Sequence, residues 1–359
     1  GTSTLPRVAH LTKNFTSENP LSPAVREAIS TAFEQGWADP KKQSQAAGRA
    51  AILAESAKEE IASYLHSTPS NLEVLGEPSM AHFISIMGFA REGSHLLTST
   101  IDLGKIRAIA RAYQGEVTEI GVDHLGQLIR SGLRLSNHSL FSLQATNGET
   151  GISQDLDHWR DGSGHIIVDA TKALPISDSV TGFSATTFDG ETWGGPSGLG
   201  FIAITDSKNF RYPLPHLAPI RVPGSYSLPL LIGSAVALSE SVARASRIVE
   251  LRNYLYREVQ KIAGLSVIGE NEVKQSQYLS AVIDDFSAEE LLRTLLTRDI
   301  EIDAGSACSP EDLAPSHVIA SMGFPTTGHI RFTIHPQQTE ADVDYLVHNL
   351  GEVLEALRR

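Results

Sequence analysis

Residues 165–170 read His-Ile-Ile-Val-Asp-Ala, a short apolar run that ends in a carboxylate at Asp169. A run of this length without polar alternation indicates a strand buried on both faces, as in parallel sheets. Similar runs are found at residues 96–99, 116–122, 139–144 and 199–205. Helix-like stretches, such as residues 104–113, separate them. This alternation predicts an α/β fold in which helices cover both faces of a mostly parallel sheet.

Two helices are predicted ahead of the first apolar run. Ser22 precedes Pro23, and Gly36 follows the apolar periodicity, so a capping serine, a first-turn proline and a terminal glycine bound the first helix. A second helix is predicted over residues 45–65, because this stretch is rich in Ala, Glu and Lys. Its expected buried face consists of Ile52, Leu53, Ile61 and Leu65.

The chain divides into two predicted domains. Near residue 236 a long helix-like segment leads into a smaller mixture of strands and helices. With a length of 359 residues, two domains are the natural expectation. We assign residues 15–235 to a large α/β domain and residues 236–359 to a small C-terminal α+β domain. The N-terminal segment, residues 1–14, is expected to pack with the small domain.

Charge and cysteine content limit the partners and the compartment. Lys and Arg number 29 against 42 Asp and Glu, so the formal net charge is -13 at pH 7. Such a surface repels nucleic acid backbones and anionic membranes, so neither is an expected partner. Cys308 is the single cysteine, which excludes an intramolecular disulfide. Since no secretory signal or membrane-spanning run is seen, we expect a cytoplasmic protein.

Simple site motifs do not explain the sequence. The 13 histidines show no metal-ligand spacing, so no metal ion is expected. No glycine-rich loop of the Walker or dinucleotide type follows a predicted strand. The glycine cluster at residues 194–200 is by itself more typical of a turn than of a binding site.

Five segments taken together are more informative than any one of them. They are residues 144–151 (QATNGETG), 168–172 (VDATK), 194–200 (GGPSGLG), 305–309 (GSACS) and 328–332 (GHIRF). In this order and spacing they resemble the cysteine desulfurases of the class V aminotransferase group, which are fold type I enzymes that use pyridoxal phosphate (PLP). The resemblance covers nearly the whole chain. It implies a large domain with a seven-stranded type of mostly parallel sheet, PLP as cofactor, and a homodimer with its active sites at the interface.

The resemblance assigns roles to five residues that fit the family pattern. It places Asp169 against the pyridine nitrogen of PLP, and it places Asn147 and Ser79 among the cofactor-binding residues, with Ser79 as a hydroxyl donor to the phosphate. Arg331 stands where the family grips the substrate carboxylate, a task suited to a guanidinium fork. Cys308 stands where the family carries the thiolate that takes up sulfur as a persulfide.

Four positions depart from the family pattern. Thr192 stands where the family has its Schiff-base lysine, and a threonine has no amine. Glu191 replaces a histidine, and Asp189 replaces a serine that helps to bind the phosphate of PLP. A carboxylate about 4 Å from a phosphate costs on the order of several kcal/mol at an effective dielectric constant near 20. Leu103 replaces a histidine that stacks on the pyridine ring, and an aliphatic side chain cannot act there as acid or base.

Lys172 allows two interpretations. It stands where the family has a glutamine near the ring oxygen of the cofactor, so its amine could be a relocated Schiff-base lysine. It could instead be a counter-ion for Asp169, Asp189 or Glu191. We favour the ion pair, because a lysine from another strand would approach the aldehyde from the wrong side.

The retained and lost residues predict a cysteine desulfurase-like protein without covalent PLP catalysis. Its role would be binding: a scaffold or regulator of an active desulfurase partner, a sulfur acceptor through Cys308, or a pocket for a different, cationic small molecule. The alternative is an active cysteine desulfurase or C–S lyase that uses noncovalent PLP or Lys172. Retention of Asp169 and Arg331 together with Cys308 favours this alternative.

Overall fold

The computed structural model describes residues 12–160, 162–175, 180–269, 276–305 and 316–359. Cys308 lies outside the described residues, so its sulfur-carrying role stays a prediction. The strands are β1 (Asn14–Phe15), β2 (Leu72–Leu75), β3 (His95–Ser99), β4 (Val117–Ile120), β5 (Ser139–Gln144), β6 (His165–Asp169), β7 (Ala185–Asp189), β8 (Gly200–Ile204), β9 (His216–Leu217), β10 (Ile220–Arg221), β11 (Leu265–Val267), β12 (Tyr278–Ile283), β13 (Glu301–Ala304) and β14 (His329–Thr333). The α-helices are α1 (Pro23–Gln35), α2 (Gln45–Tyr64), α3 (Pro78–Met87), α4 (Gly104–Ala112), α5 (Leu228–Val259), α6 (Ala288–Leu296), α7 (His317–Ser321) and α8 (Glu340–Leu357).

The larger sheet has the strand order β2-β8-β7-β6-β5-β3-β4. The five strands from β7 to β4 run parallel, whereas β8 is antiparallel to both β7 and β2. β5 and β6 lie in the middle of the sheet, and nearly all of their residues are buried, as expected for strands covered on both faces. The predicted α/β fold with a mostly parallel sheet is confirmed.

Strand β7 does not stand out in the sequence as an apolar run. Two of its five residues are threonines, Thr186 and Thr187, and both are buried. Their hydroxyls find partners inside the core: Thr186 donates to the Val180 carbonyl at 2.6 Å, and Thr187 donates to the Ser85 hydroxyl at 3.1 Å. Because these hydrogen bonds satisfy the polar groups, β7 can lie in the sheet interior without an apolar sequence.

The first two helices lie where they were predicted, but on α2 Ile52 is exposed and Leu53 is only partly buried. Ser22 caps α1 by accepting a hydrogen bond from the Val25 amide at 3.2 Å. On α2, Ile61 is buried as expected, but Ile52 is 71% exposed, so its predicted burial is wrong. The buried side of α2 consists largely of small residues such as Ala50, which allow close packing on α5 and leave Ile52 outside.

Helix α5 begins at Leu228, ahead of the expected domain boundary at residue 236. Its first half belongs to the core of the large sheet and its second half to the core of the C-terminal sheet, so it connects the two parts. By length and composition alone α5 could cross a membrane, but the core helix of a folded domain meets the same criterion. In its most apolar window, 56% of the residues are buried inside the protein.

A five-stranded sheet in the order β1-β13-β14-β12-β11 forms the C-terminal part. Apart from the parallel pair of β1 and β13, its neighbouring strands are antiparallel. Residues 12–15 join this part, because the Thr12 amide donates to Asp342 at 2.6 Å and Phe15 pairs with Ile302. Phe15, which the sequence assigns to the start of the large domain, therefore packs with the small one.

The carboxyl ends of β5, β6 and β7 meet the C-terminal sheet. Gly151, in the loop after β5, has a φ of 72°, and a Cβ there would lie 2.4 Å from the Tyr278 carbonyl oxygen. Glycine is therefore required by both the backbone conformation and the close approach. Gln277 donates to the Thr192 carbonyl at 3.4 Å across the same boundary. Ligands of open α/β sheets bind beyond the carboxyl ends of the strands, so this boundary is where a site is expected.

Candidate functional site

Asp169 is the last residue of β6 and lies at the centre of the candidate site. Its side chain is only 4% exposed. Oδ1 accepts hydrogen bonds from the Thr171 amide at 3.0 Å and from the Thr171 hydroxyl at 2.6 Å. Within the described part of the chain, no donor binds Oδ2. The carboxylate is thus fixed in orientation and keeps one oxygen for a ligand. With Lys172, Asp189, Glu191 and Thr192 it forms what we call the central site.

Thr192 lies in a short 3-10 helix, Gly190–Trp193, that directly follows β7. Its hydroxyl donates a hydrogen bond to the Thr171 carbonyl, which follows Asp169 by two residues. The structure therefore brings the position expected for the lysine next to the position expected for the pyridine partner. The side chain at that position is a hydroxyl with a fixed partner, and it cannot form an imine.

Asp189 and Glu191 add negative charge beside Thr192. Asp189 Oδ1 accepts the Glu191 amide at 3.0 Å and so caps the 3-10 helix. Burial raises the pKa of Asp189, while this hydrogen bond and the ammonium of Lys172 act in the opposite direction. Glu191 is exposed. Two carboxylates therefore occupy positions where the resemblance implies neutral or positive groups near a phosphate.

Lys172 lies over the loop that follows β5. Its stem packs against Gly148 so closely that a Cβ there would be 2.8 Å from Lys172 Cγ. The Tyr278 hydroxyl, together with Asp189 and Glu191, raises the pKa of Lys172 in spite of its burial. The amine is thus held in its charged form, but among the described residues no carboxylate lies within ion-pair distance of it, so the counter-ion interpretation stays a prediction. A nucleophilic amine needs the neutral form, so the electrostatics oppose the Schiff-base interpretation.

Ser79 lies at the start of α3. The sequence analysis did not single out Glu77, whose carboxylate binds the polar groups there. Glu77 is the N-cap of α3, and its carboxylate accepts hydrogen bonds from the Ser79 amide at 3.1 Å and the Met80 amide at 2.9 Å. The Ser79 hydroxyl also donates to Glu77. The hydroxyl assigned to a phosphate is therefore already bound to a carboxylate of the chain. A carboxylate directly before a proline at the helix start was the signal in the sequence.

Leu103 is the N-cap of α4 and offers no polar side-chain group. Its neighbour Asp102 was also missed by sequence reasoning. Asp102 is fully buried, and Oδ2 accepts the Ser99 amide at 2.7 Å, while Oδ1 has no hydrogen-bond partner among the described residues. Burial, aided by the charge of Asp169, raises the pKa of Asp102 to about 8. Asp102 therefore stays protonated near neutral pH.

Asn147 shapes the loop after β5. Its Nδ2 donates to the Ile101 carbonyl at 3.1 Å and to Gln144 Oε1 at 3.0 Å. Its Oδ1 accepts hydrogen bonds from the Glu149 amide at 2.9 Å and from the Thr150 amide at 3.1 Å. Both donors and the acceptor are thus used within the chain. The structure gives Asn147 a structural role near the central site and leaves no hydrogen on its amide for a cofactor.

Arg331 reaches from β14 toward the loop after β5. Its Nη2 forms an ion pair with Asp303 Oδ2 at 2.7 Å, and its Nη1 donates to the Gly148 carbonyl at 2.8 Å. Arg331 therefore links the small domain to the large one. A substrate carboxylate would have to compete with Asp303 for the guanidinium group.

The residues present do not fit pyridoxal phosphate. Thr192 supplies no amine, and Lys172 is held charged. Glu77 takes up the amides and the hydroxyl at the start of α3, and Asp189 adds a second carboxylate. Among the retained groups that the structure describes, Asp169 is the one with an oxygen still open to a ligand. No group of three or more His, Cys, Asp or Glu side chains in the described ranges could hold a metal ion either.

The chain is similar to cysteine desulfurases over nearly its whole length. The Aminotransferase class-V family matches residues 222–346. The cysteine desulfurase IscS of Dictyoglomus turgidum is 23% identical over 374 residues, which cover 96% of this chain and 94% of that protein. A solved NifS-like protein superposes with a TM-score of 0.82 at 19% identity, covering 95% of this chain and 99% of that one.

The cysteine desulfurase CsdA from Escherichia coli gives a TM-score of 0.76 at 18% identity and covers 96% of this chain and 95% of that one. At this identity the solved structures show a shared fold. The predicted fold type, with its seven-stranded and mostly parallel sheet, is therefore confirmed. Over nearly its whole length the chain is thus similar in sequence and in fold to cysteine desulfurases, and its C-terminal part matches the Aminotransferase class-V family.

Proposed function

We propose that this protein keeps the desulfurase fold but acts by noncovalent binding instead of covalent PLP catalysis. The observation that carries the proposal is the hydrogen bond from the Thr192 hydroxyl to the Thr171 carbonyl. It fills the position where the family has its lysine with a group that cannot form an imine. The cofactor therefore has no covalent anchor at this position.

The charged state of Lys172 supports the proposal. An amine that replaced the missing lysine would have to lose its proton before it attacked an aldehyde. Tyr278, Asp189 and Glu191 favour the protonated form, and so raise the pKa of Lys172. The alternative, an active enzyme that uses Lys172, would work against these charges.

The charge pattern favours a small cationic ligand. Asp169, Asp189 and Glu191 surround the central site, and Glu77 lies at the nearby start of α3. The opposing ammonium groups are those of Lys172 and Lys105, whose charges act on Asp189. Since Asp169 Oδ2 lacks a donor within the described residues, a protonated ring nitrogen or amine is the group that would complete the site.

We also propose that the protein is a cytoplasmic homodimer. Large apolar side chains are exposed on α1, on the turn after it, on α2 and on the hairpin formed by β9 and β10. They are Phe33 (59% exposed), Trp37 (72%), Ile52 (71%), Leu217 (75%), Ile220 (64%) and Val222 (56%), and we call them the apolar patch. Lys41 donates to the Gly224 carbonyl at 3.0 Å and ties the turn to the hairpin. Exposed apolar side chains in such number favour a protein partner, and a second copy is the partner that the family implies.

The proposal is tested by adding PLP and pyridoxamine to the purified protein. PLP should give no imine absorbance and no sulfide release from cysteine. Pyridoxamine, which is cationic and has no phosphate, should bind in a calorimetric titration, and Asp169→Asn should weaken this binding about tenfold or more because the charged partner is lost. An imine band that disappears in Lys172→Ala, together with sulfide release, would establish the active enzyme instead.

A further inference from the structure

The start of α3 is an anion-binding position that the chain fills itself. The first amides of a helix lack partners within the helix and point toward any nearby anion. In α3, which has 10 residues, these amides belong to Ser79 and Met80, and both donate to the carboxylate of Glu77. The Ser79 hydroxyl donates to the same carboxylate. Three donors suited to a phosphate are therefore already used.

Glu77 is an ionised group at neutral pH. Partial burial alone would raise its pKa, but the hydrogen bonds from Ser79 and Met80 and the charge of Lys105 lower the pKa below its usual value. A full negative charge therefore lies at the positive end of the α3 dipole. A second anion at this place would meet charge repulsion and would find no open donor.

Glu77 and Asp189 belong to the same cluster of charges. The ammonium of Lys105, on α4, lowers the pKa of Glu77 and opposes the rise in the pKa of Asp189. One cation therefore acts on two carboxylates that come from α3 and β7. An added phosphate would increase the excess of negative charge that this cluster already carries.

The backbone around Glu77 is held in place on two sides. A Cβ on Gly200 of β8 would lie 2.8 Å from Pro78 Cα, and a Cβ on Gly76 would lie 2.9 Å from the Ser225 carbonyl oxygen. The start of α3 is thus packed against the large sheet and against the segment before α5. A change in the Glu77 side chain should therefore leave the helix start where it is.

We infer that Glu77 is a built-in anion that excludes phosphorylated ligands from the central site and leaves it to ligands without a phosphate. The inference rests on the proposed binding function, and it names the ligand class that this function selects against. It also states which single side chain is responsible. Removing that side chain should uncover a phosphate site that the fold still contains.

The test compares inorganic phosphate binding by the full-length wild-type protein with that by Glu77→Ala and Glu77→Ser. Serine is a good helix cap, so Glu77→Ser preserves the helix start if Glu77→Ala is too unstable to purify. Ser287→Ala is the matched control, because Ser287 caps α6 by accepting the Glu290 amide at 3.3 Å, far from the central site in sequence. Calorimetric titration and thermal unfolding are measured at constant ionic strength, with chloride as the reference anion.

We expect no phosphate-specific effect on the wild type or on Ser287→Ala. Both Glu77 variants should gain about tenfold or more in phosphate affinity, because they lack the carboxylate that repels the phosphate and occupies its donors. Because this carboxylate is exposed, solvent screening limits the gain. They should also bind PLP more tightly than pyridoxal, whereas the wild type should show no such preference. Phosphate binding by the wild type equal to that of the variants, or no gain in either variant, would overturn the inference. Imine formation in the wild type is read separately, and it would instead overturn the proposed function.

Discussion

At the residue scale, the buried carboxyl group of Asp102 makes the free energy of unfolding depend on pH. Its carboxyl group is fully buried, and burial with the charge of Asp169 raises its pKa to about 8. In the unfolded chain an aspartate has a pKa near 3.9, so the folded protein holds a proton that the unfolded protein releases. The folded state binds more protons between these two values, so the stability contributed by Asp102 is lost as the pH rises through this range.

Asp102→Asn should therefore reduce the pH dependence of stability. The wild type should lose up to about 1.4 kcal/mol of unfolding free energy per pH unit from this group between about pH 4 and 8. The variant should show a flatter profile, because asparagine is neutral throughout. Urea unfolding at pH 5, 6.5 and 8 measures the effect. The exposed Asp284 provides the control, since Asp284→Asn should leave the profile unchanged, and an unchanged slope in Asp102→Asn would contradict the account.

The loop after β5 is the element that brings the two domains together. Gly151 combines a left-handed backbone with a hypothetical Cβ position 2.4 Å from the Tyr278 carbonyl oxygen. Gly151→Ala should destabilise the protein by about 2–4 kcal/mol, because strain and collision add. Denaturant unfolding measures this loss. Gly132 also has a positive φ, but nothing lies within 4 Å of a hypothetical Cβ there. Gly132→Ala should therefore lower the free energy of unfolding by less, and it measures the backbone strain alone. Equal losses in both variants would remove the argument for close contact.

Elements with local signals could be predicted, and those defined by tertiary contacts could not. α1 carries its own cap at Ser22, and the middle strands contain short apolar runs such as residues 166–168, so both were evident in the sequence. β7 was missed because its two buried threonines make its sequence as polar as that of an exposed segment. Ile52 was misplaced because the helix face that meets α5 depends on where α5 lies.

Site residues could be predicted where a sequence motif marks their position. They could not be predicted where their role depends on a hydrogen-bond or ion-pair partner that only the folded chain supplies. Asp169 and Thr192 were found in sequence, and the structure brings them together through Thr171. Glu77 and Asp102 were missed, since their importance lies in what surrounds them. Arg331 was found, but its ion pair with Asp303 arises from pairing between β13 and β14, which no sequence motif records.

The apolar patch gives a prediction for the whole molecule. Ile220→Asp should shift the protein from dimer to monomer, because it would place a charge in an apolar interface. Light scattering coupled to size exclusion measures the mass directly. Ile129 is also an exposed isoleucine, at 47%, but lies outside the patch, so Ile129→Asp is the matched control. A wild-type monomer, or an Ile220→Asp dimer as tight as the wild type, would contradict the proposed dimer.

For the whole molecule, the central claim is that PLP forms no covalent bond with the chain, because Thr192 offers no amine and Lys172 stays protonated. The most direct test is to incubate the native protein with PLP, reduce it with borohydride, and examine the intact mass and the peptides by mass spectrometry. A Glu77→Ser/Thr192→Lys double variant in the same experiment is the positive control, because it has an amine at this position and lacks the carboxylate that excludes the phosphate. We predict an unmodified wild-type chain. A stoichiometric pyridoxyl group on any single lysine of the wild type, Lys172 above all, would contradict the account.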